Sequence, residues 1–273
     1  MIDLHLHTTA SDGRLEPREL VARVCAAGIT VMSVTDHDTV AGFAEARAAA
    51  AAQGLTLVTG IEITAVERAR DIHVLGYFFD PGNEELARFL EAQRADRLRR
   101  LVEIAGRLAS LGHPIEVGPL TERAARRPGT SVGRPQIADA LVAAGHATDR
   151  NDAFDRLIGA GCPAYVPRRG ASPEEVIALV GRSGGIASLA HPGIVRNDEL
   201  IPRLAAAGLR ALEARHSDHD APTERHYRAL AKTHGLEVTG GSDFHGDSSH
   251  QPAALGAVTL PAEDFERLRA LVV

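Results

Sequence analysis

Aromatic residues are scarce in this sequence: tryptophan is absent, and Phe, Tyr and Trp together make up 4% of its 273 residues. The core must therefore be mainly aliphatic. Proteins that bind nucleic acid strands without sequence preference stack bases on aromatic side chains, and few such platforms are available here. Tyr77, Phe78, Phe79 and Tyr165 are candidates for base contacts, but we expect core packing to be their main role.

Cysteine and long apolar runs are also rare. The two cysteines, Cys25 and Cys162, have no close-spaced partner, which excludes a disulfide framework and indicates reduced structural thiols. No apolar run approaches the roughly 20 residues that cross a bilayer, and the first residues lack the basic and apolar regions of a signal peptide. We therefore expect a cytoplasmic protein without membrane contact.

The chain has no excess of positive charge. Its formal net charge is −6 and its pI is about 6.1, so no overall field would draw it onto nucleic acid or an anionic membrane. An anionic substrate would need local positive charge. Divalent ions bound among carboxylates would reverse the sign of a cleft, so the acidic pI does not exclude phosphate chemistry.

Short β-like runs alternate with amphipathic helical segments, a pattern typical of α/β proteins with a parallel sheet. The predicted strands are residues 2–7, 29–35, 55–63, 71–79, 186–190, 209–213 and 236–240. The predicted helices around them are residues 17–27, 40–53, 172–182, 198–207, 222–234 and 262–271. The chain is longer than the roughly 150 residues of an average domain, so a barrel with an insertion fits.

The alternation stops in the middle of the chain. Residues 83–109 predict one long helix, and residues 133–144 and 149–160 predict two shorter ones with no strand between them. The neighbourhood of residues 123–127 predicts an exposed loop. We therefore expect a barrel formed by residues 1–99 and 166–273, with a small helical insertion, residues 100–165, that caps the barrel mouth.

Histidine and acidic residues recur where the predicted strands end. Because i and i+2 point to the same face of a strand, His5 with His7, and Asp243 with His245, can each bind one ion together. In a barrel, such strand ends converge on one face. The nine candidate ligands are His5, His7, Asp12, His37, Glu62, His73, His191, Asp243 and His245.

Each of these motifs has a structural alternative when taken alone. His73 would serve equally as a half-buried histidine, and His191 as part of a turn before Pro192. For Asp36 we prefer the role of capping a helix that begins near Thr39 over metal ligation. Six strand ends that all deliver such ligands would require independent coincidences, so together they favour a metal centre.

The same motifs resemble those of the polymerase and histidinol phosphatase (PHP) family. The resemblance is carried, in order along the whole chain, by His5-x-His7, Asp12, Thr35-Asp36-His37, Glu62, His73, Ala190-His191-Pro192 and Ser242-Asp243-Phe244-His245. Residues 133–138, 164–167 and 184–192 are similar to a subgroup of small stand-alone phosphoesterases. Members of that subgroup remove the 3′-phosphate from nucleoside 3′,5′-bisphosphates or degrade short RNA from its 5′ end.

The resemblance implies a distorted (β/α)7 barrel with a helical insertion and two or three divalent metal ions. Mixed nitrogen and oxygen ligands favour Mn, with Fe or Zn as alternatives, over a Ca²⁺ cage. By motif, the implied ligand sets are His5, His7, Glu62 and Asp243; Glu62, His73 and His191; and Asp12, His37 and His245.

The implied reaction is an in-line attack of activated water on phosphorus, in which Asp243 is essential. We expect Arg134 and His219 to contact phosphate, with His219 assisting the leaving oxygen, and Arg196 to be a weaker substrate contact. Alternatively, Arg134 is an exposed residue and His219 a solvated loop histidine. Glu213 and His216 are interpreted as structural or as neighbours of the ligands.

Two other functions remain open. The chain would serve as a phosphatase for another small monoester, histidinol phosphate included, or as a noncatalytic metal-stabilised accessory module. The complete ligand set and the absence of an attached polymerase domain argue against the module. Short 5′-phosphorylated RNA ends are compatible with the same site, and the oligomeric state is left open.

Overall fold

The computed structural model describes residues 1–246 and 254–272; residues 247–253 and 273, which we assigned to the barrel, lie outside the described part. The described residues form one seven-stranded sheet in the order β1 to β7. Every predicted strand has an observed counterpart. The strands are β1 (Ile2–Asp3), β2 (Val31–Val34), β3 (Thr56–Glu67), β4 (Arg70–Tyr77), β5 (Ile186–Leu189), β6 (Ala211–Arg215) and β7 (Glu237–Gly240).

The sheet is mixed, which corrects the expectation of a parallel sheet. β1, β2 and β3 are parallel, as are β5, β6 and β7, whereas β4 runs antiparallel to both β3 and β5. β3 and β4 form a hairpin whose two connecting residues, Arg68 and Ala69, have φ of 47° and 66°. Both residues have the left-handed backbone conformation, as in two-residue hairpin turns whose twist matches that of the adjoining strands.

The first and last strands approach each other and nearly close the sheet into a barrel. A parallel bridge joins Leu6 to Phe244, and the amide of His7 donates to the Phe244 carbonyl at 3.0 Å. Gly241 lies where the two chains are closest: a Cβ there would stand 2.4 Å from the His5 nitrogen. Only glycine fits at this contact, which places the end of β1 beside the segment after β7.

Helices surround the sheet, most of them near the predicted positions. Ser172 accepts a hydrogen bond from the amide of Glu175, so the predicted cap of the helix before β5, α7 (Pro173–Arg182), is formed as expected. The described helices are α1 (Pro17–Ala26), α2 (Phe43–Ala52), α3 (Glu84–Ser110), α4 (Gly118–Arg126), α5 (Arg134–Ala143), α6 (Arg150–Ala153), α7 (Pro173–Arg182), α8 (Pro192–Val195), α9 (Leu200–Ala206), α10 (Ala221–Thr233) and α11 (Ala262–Arg269).

One local prediction in the middle of the chain was wrong: the expected loop around residues 123–127 is mostly helix α4, because Leu120 and Ala124 pack on the hydrophobic cluster of the middle segment. The expected helix 149–160 is present as one helical segment, in which α6 is followed directly by a π-helical turn, Phe154–Ile158. π-Helical turns are often found at functional sites, and this one places Phe154 beside a cavity described below.

The hydrophobic interior has separate clusters for the barrel and for the helices of the middle segment. Leu86 and Leu90 of α3 pack in the barrel core, whereas Leu101, Ile104 and Leu108 of the same helix pack with α5 and the π-helical turn. The boundary we predicted at residue 100 therefore falls inside one continuous helix, and the domain division stays a prediction. No helix in the described ranges is long and apolar enough to cross a membrane.

Candidate metal centre and adjoining cavities

A buried carboxylate, Glu62, lies at the centre of the predicted ligands. β3 carries it past the end of β2, where Glu62 and His37 form a parallel bridge. Its side chain is 1% exposed and is surrounded by imidazoles from four other strand ends. The Glu62 carboxylate lies 2.8 Å from His73 Nδ1, 3.0 Å from His37 Nδ1, 3.1 Å from His191 Nε2, 3.3 Å from His7 Nε2 and 3.4 Å from His5 Nε2.

Two further carboxylates complete the cluster. Asp243 Oδ1 lies 3.0 Å from His7 Nε2 and 3.3 Å from His5 Nε2. Asp12 lies 3.3 Å from His245 Nε2, 3.5 Å from His37 Nε2 and 3.8 Å from His7 Nδ1. The structure therefore brings all nine predicted ligands, from His5 to His245, into one cluster at one end of the barrel.

Strained backbone holds parts of this cluster. Asp243 has φ of 54°, and His191 has φ of 26° with ψ of 60°. Non-glycine residues rarely adopt positive φ, and such strain persists only where the surroundings impose it. In these conformations the His191 side chain lies next to Glu62, and the Asp243 side chain lies next to His5 and His7, which follow β1.

Glu213 and His216 lie at the end of β6, beside the predicted ligands, as the sequence analysis indicated. Glu213 is fully buried, accepts from His5 Nδ1 at 2.9 Å and accepts from the His191 amide at 2.8 Å. It thereby fixes the ring orientation of His5, as carboxylates commonly do for metal-binding histidines. His216 Nε2 lies 3.3 Å from Asp243 Oδ2. The signal in the sequence was their position at a strand end, which is also the position of the predicted ligands.

Asp36 does not cap a helix, contrary to our expectation. α2 begins at Phe43, and the Asp36 carboxylate instead accepts hydrogen bonds from the Thr8 amide at 2.7 Å, Thr8 Oγ1 at 2.6 Å and Ser11 Oγ at 2.6 Å. Burial raises the pKa of Asp36 above its ordinary value. These bonds fix the loop that carries Asp12 into the cluster.

The cluster fits divalent cations by both donor chemistry and hydrogen bonding. Six of its buried atoms make no hydrogen bond within the described ranges; they are His5 Nε2, His7 Nδ1, His7 Nε2, His37 Nδ1, His191 Nδ1 and Asp243 Oδ1. Buried polar atoms are almost always satisfied, so this concentration of buried imidazole and carboxylate atoms without hydrogen bonds fits the binding of divalent cations. Imidazole and carboxylate together suit Mn, Fe or Zn.

Four sets of ligand atoms in the described residues lie within 4.8 Å of one another. They are His7, Asp12, His37 and His245; His5, His216 and Asp243; His5, His7 and Glu62; and His37, Glu62 and His73. They overlap with the three implied sets but add His216, and they pair Glu62 and His73 with His37 instead of His191.

The electrostatics keep the carboxylates ionised. Burial opposes ionisation of Glu62, Asp12 and Asp243, but the surrounding histidines lower the pKa of each carboxyl well below its ordinary value. Burial likewise opposes the charge on His7, yet Asp243 and Glu62 raise its pKa to about 10. For His37 burial prevails and lowers the pKa to about 3. The ionised carboxylates are thus balanced by protons on histidines such as His7, and bound cations would take the place of those protons.

Arg134 lies beside the cluster, at the start of α5. Its Nη2 lies 3.0 Å from Asp71 Oδ2, and its guanidinium lies 5.5 Å from the ring centre of Phe154 and 5.7 Å from that of Tyr165. It lines a cavity of about 650 Å³ together with His73 and His191. A phosphorylated molecule in this cavity would touch both the arginine and the histidines.

The other two predicted substrate residues are less directly placed. His219 is half-buried, its Nδ1 donates to the Ala214 carbonyl at 2.9 Å, and its Nε2 accepts from the Gly193 amide at 3.1 Å. Contact between His219 and phosphate stays a prediction, and it requires one of these bonds to break. Arg196 is exposed and is bonded to the Gly193 carbonyl at 3.3 Å.

A second, smaller cavity of about 190 Å³ lies on the other side of Arg134. Its walls include the metal-centre residues Asp12, His37 and His73, and a group of arginines that the sequence did not single out. These are Arg97 and Arg100 of α3 and Arg168, with the carboxylates of Asp38 and Asp71 between them. We call this group the arginine cluster.

Comparison with known proteins identifies similar sequences. The PHP domain family matches residues 3–141. A 5′-3′ exoribonuclease from Haemophilus influenzae is 35% identical over 250 residues, covering 89% of this chain and 89% of its own. A 3′,5′-nucleoside bisphosphate phosphatase from Chromobacterium violaceum is 34% identical over 254 residues, covering 89% of this chain and 87% of its own.

Solved structures give the same result. A protein from Bifidobacterium adolescentis described as a metal-dependent phosphoesterase superposes with a TM-score of 0.89 at 37% identity, covering 100% of this chain and 96% of its own. An amidohydrolase from Chromobacterium violaceum, solved with bound sulfate and no metal, has a TM-score of 0.84 at 30% identity and covers 100% and 97%. These likenesses confirm the predicted distorted (β/α)7 barrel.

Proposed function

The chain belongs to the PHP domain family and is a metal-dependent phosphoesterase, and from this premise we propose that it removes the 3′-phosphate from nucleoside 3′,5′-bisphosphates. One observation carries the proposal: two of the predicted metal ligands, His73 and His191, line the same cavity of about 650 Å³ as Arg134. A cavity of this size is within the usual range for small-molecule sites.

The names of the relatives support this substrate class. One is a phosphatase for nucleoside bisphosphates, and others are exoribonucleases that act from the 5′ end. Another relative, from Eggerthella lenta, is a phosphoribosyl 1,2-cyclic phosphate 1,2-diphosphodiesterase and is 32% identical over 262 residues. Each name describes a substrate with more than one phosphate group. These enzyme names also argue against a noncatalytic accessory module.

We propose that the nine predicted ligands, together with His216, hold two or three divalent ions, with Mn as the first choice. Bound ions would make hydroxide available near neutral pH and would neutralise charge on the phosphoryl oxygens. The buried ring nitrogens and carboxylate oxygens that make no hydrogen bond support this assignment.

The protein's own side chains would orient the substrate. Arg134 would bind phosphoryl oxygens through its planar guanidinium, for which Asp71, Phe154 and Tyr165 fix the position. Glu213 would keep the ring of His5 in a single orientation, because it accepts from Nδ1. His219 and Arg196 remain weaker candidates for substrate contact, and the helical segment 100–165 would limit the length of the substrate.

A substrate panel tests the proposal. With Mn present, purified protein should release phosphate from adenosine 3′,5′-bisphosphate much faster than from histidinol phosphate. The reverse order would replace the proposed substrate by a small-metabolite monoester. A length series of 5′-phosphorylated oligonucleotides would show whether short RNA ends are also cleaved. Cell fractionation should find the protein in the cytoplasm, and gel filtration would measure its oligomeric state.

Substitution of Asp243 tests the metal centre directly. Asn tolerates the left-handed backbone of Asp243 but lacks a charged oxygen for the ions, so Asp243→Asn should remove turnover while the protein stays folded. Circular dichroism would verify folding, and metal analysis would measure bound ions. Full activity at unchanged metal content would contradict the assignment.

A further inference from the structure

His191 is held in an unusual backbone conformation at the point where β5 meets the metal centre. Its φ of 26° and ψ of 60° lie outside the regions that non-glycine residues ordinarily adopt. Such a conformation persists only where the surrounding contacts impose it. His191 Nε2 lies 3.1 Å from the Glu62 carboxylate, so the same contacts decide whether the imidazole is placed to serve as a metal ligand.

The structure fixes the two sides of His191 separately. On the amino side, Glu213 Oε2 accepts from the His191 amide at 2.8 Å. On the carboxyl side, the chain enters α8 (Pro192–Val195), a single short turn that ends at Arg196, whose φ of 52° is again left-handed. A helix of one turn is not stable by itself, so the direction of the chain after His191 depends on contacts from another element.

Tyr227 of α10 supplies such a contact. Its side chain is buried, and its hydroxyl donates to the Pro192 carbonyl at 3.0 Å. The same hydroxyl lies 3.2 Å from Asp198 Oδ1, and Asp198 Oδ2 lies 2.7 Å from His226 Nε2. Burial and the Asp198 carboxylate raise the pKa of Tyr227 to about 12, so the hydroxyl keeps its proton at neutral pH and remains a donor. A buried hydrogen bond thus holds the residue that follows His191.

Close packing of Gly193 holds the turn against α10 as well. The Gly193 amide donates to His219 Nε2 at 3.1 Å, and the ring of His219 stacks on Tyr227 with the ring centres 5.5 Å apart. A Cβ on Gly193 would stand 2.6 Å from His219 Nε2 and 3.1 Å from Thr223 Cγ2. Only glycine therefore lets the turn lie this close to α10.

We propose that Tyr227 is a positioning residue of the metal centre: by holding the Pro192 carbonyl, its hydroxyl keeps the imidazole of His191 directed towards the ion that it would bind. The assignment rests on the proposed function, in which His191 shares an ion with Glu62 and His73. Partners that orient metal ligands commonly change metal affinity by about 10- to 100-fold when they are removed. Because His191 belongs to one implied ligand set, loss of the hydroxyl should weaken one ion and spare the others.

Mn binding to Tyr227→Phe tests the assignment. Phe keeps the ring and its stacking on His219 but lacks the hydroxyl. Isothermal titration of the metal-free protein should show one Mn ion that binds about tenfold more weakly than to the wild type, with the other ions unchanged. Phosphate release should fall at limiting Mn and recover at saturating Mn, because the ligands themselves are intact.

Ser183→Ala is the matched control. Ser183, at the end of α7, is buried and its Oγ donates to the Leu179 carbonyl at 2.9 Å, so this substitution also removes a buried hydroxyl–carbonyl hydrogen bond. Its melting temperature should fall without a change in Mn affinity. Equal Mn affinities in the wild type and Tyr227→Phe, or equal losses in Tyr227→Phe and Ser183→Ala, would overturn the inference. A wild type that binds no Mn would contradict the metal centre itself and the inference with it.

A second pair of variants covers the case in which Tyr227→Phe does not fold. Gly193→Ala would push the turn away from His219 and should weaken the same Mn ion by about tenfold. Gly181→Ala, in α7, adds a Cβ that would have no close contact with another described segment, and it should leave Mn binding unchanged. Unaltered Mn binding by Gly193→Ala would also overturn the inference.

Discussion

Two buried polar clusters share one end of the barrel, and their unsatisfied atoms have opposite character. In the histidine–carboxylate cluster these atoms include His191 Nδ1 and Asp243 Oδ1, whose lone pairs suit cations. In the arginine cluster they include the N–H groups of Arg100 and Arg168, which suit an anion. Both clusters contain carboxylates. The charge of the ligand that each cluster favours therefore depends on whether histidines or arginines surround those carboxylates.

Neighbouring residues of the same segments supply the two clusters. His37 contacts Glu62, whereas the next residue, Asp38, has φ of 52° and turns towards Arg97 and Arg168. On β4, Asp71 and His73 are i and i+2 and share a face, yet Asp71 contacts arginines and His73 contacts Glu62. The two clusters are therefore built together, and a phosphate ester would bridge them.

The largest effect is expected at Glu62, which contacts five histidines of the metal centre. Glu62→Gln should lower phosphate release by about 10³-fold, the scale of losing a key electrostatic group, and should reduce the metal content. Metal analysis and initial rates measure both. Glu85→Gln, which changes an exposed carboxylate paired with Arg182, should retain activity. Equal losses in the two variants would contradict a central role for Glu62.

A loss of stability is expected when Asp38, the shared counter-ion of Arg97 and Arg168, is neutralised. Asp38→Asn keeps the left-handed backbone but leaves Arg97 and Arg168 without their shared counter-ion, which should cost about 3 kcal/mol of unfolding free energy. Urea denaturation of the metal-loaded proteins measures this. Glu122→Gln removes a carboxylate from an exposed pair with Arg126 and should leave the midpoint unchanged. A midpoint for Asp38→Asn close to that of the wild type would show that the arginines do not need this anchor.

A smaller effect is expected for His216, which lies at the edge of the proposed metal centre. His216→Gln removes a ring nitrogen 3.3 Å from Asp243 and should lower metal affinity or activity by about 10- to 100-fold. His219→Gln, three residues away, should change the metal affinity less, because both nitrogens of His219 bind backbone groups. A large rise in KM for His219→Gln at unchanged metal affinity would instead support its predicted contact with phosphate.

Much of the fold and most of the metal centre followed from local patterns. Strand and helix periodicity placed all seven strands, and position at strand ends singled out nine side chains that the fold brings together, because i, i+2 spacing and strand-end position are visible in a linear sequence. The family resemblance was confirmed by the match to residues 3–141 and by relatives about 35% identical.

Other features were decided only by tertiary structure. The direction of β4, the helix α4 and the fixation of the Asp12 loop by Asp36 depend on contacts between distant segments. The arginine cluster is the clearest case. Arg97 and Arg100 look like ordinary charged residues of a long helix, because the sequence does not reveal that this face of α3 packs against Asp38 and Arg168. Amino-acid type and spacing determine which groups are available, but burial and the identity of the partner across the fold determine whether a charge is solvated, paired or left to bind a ligand.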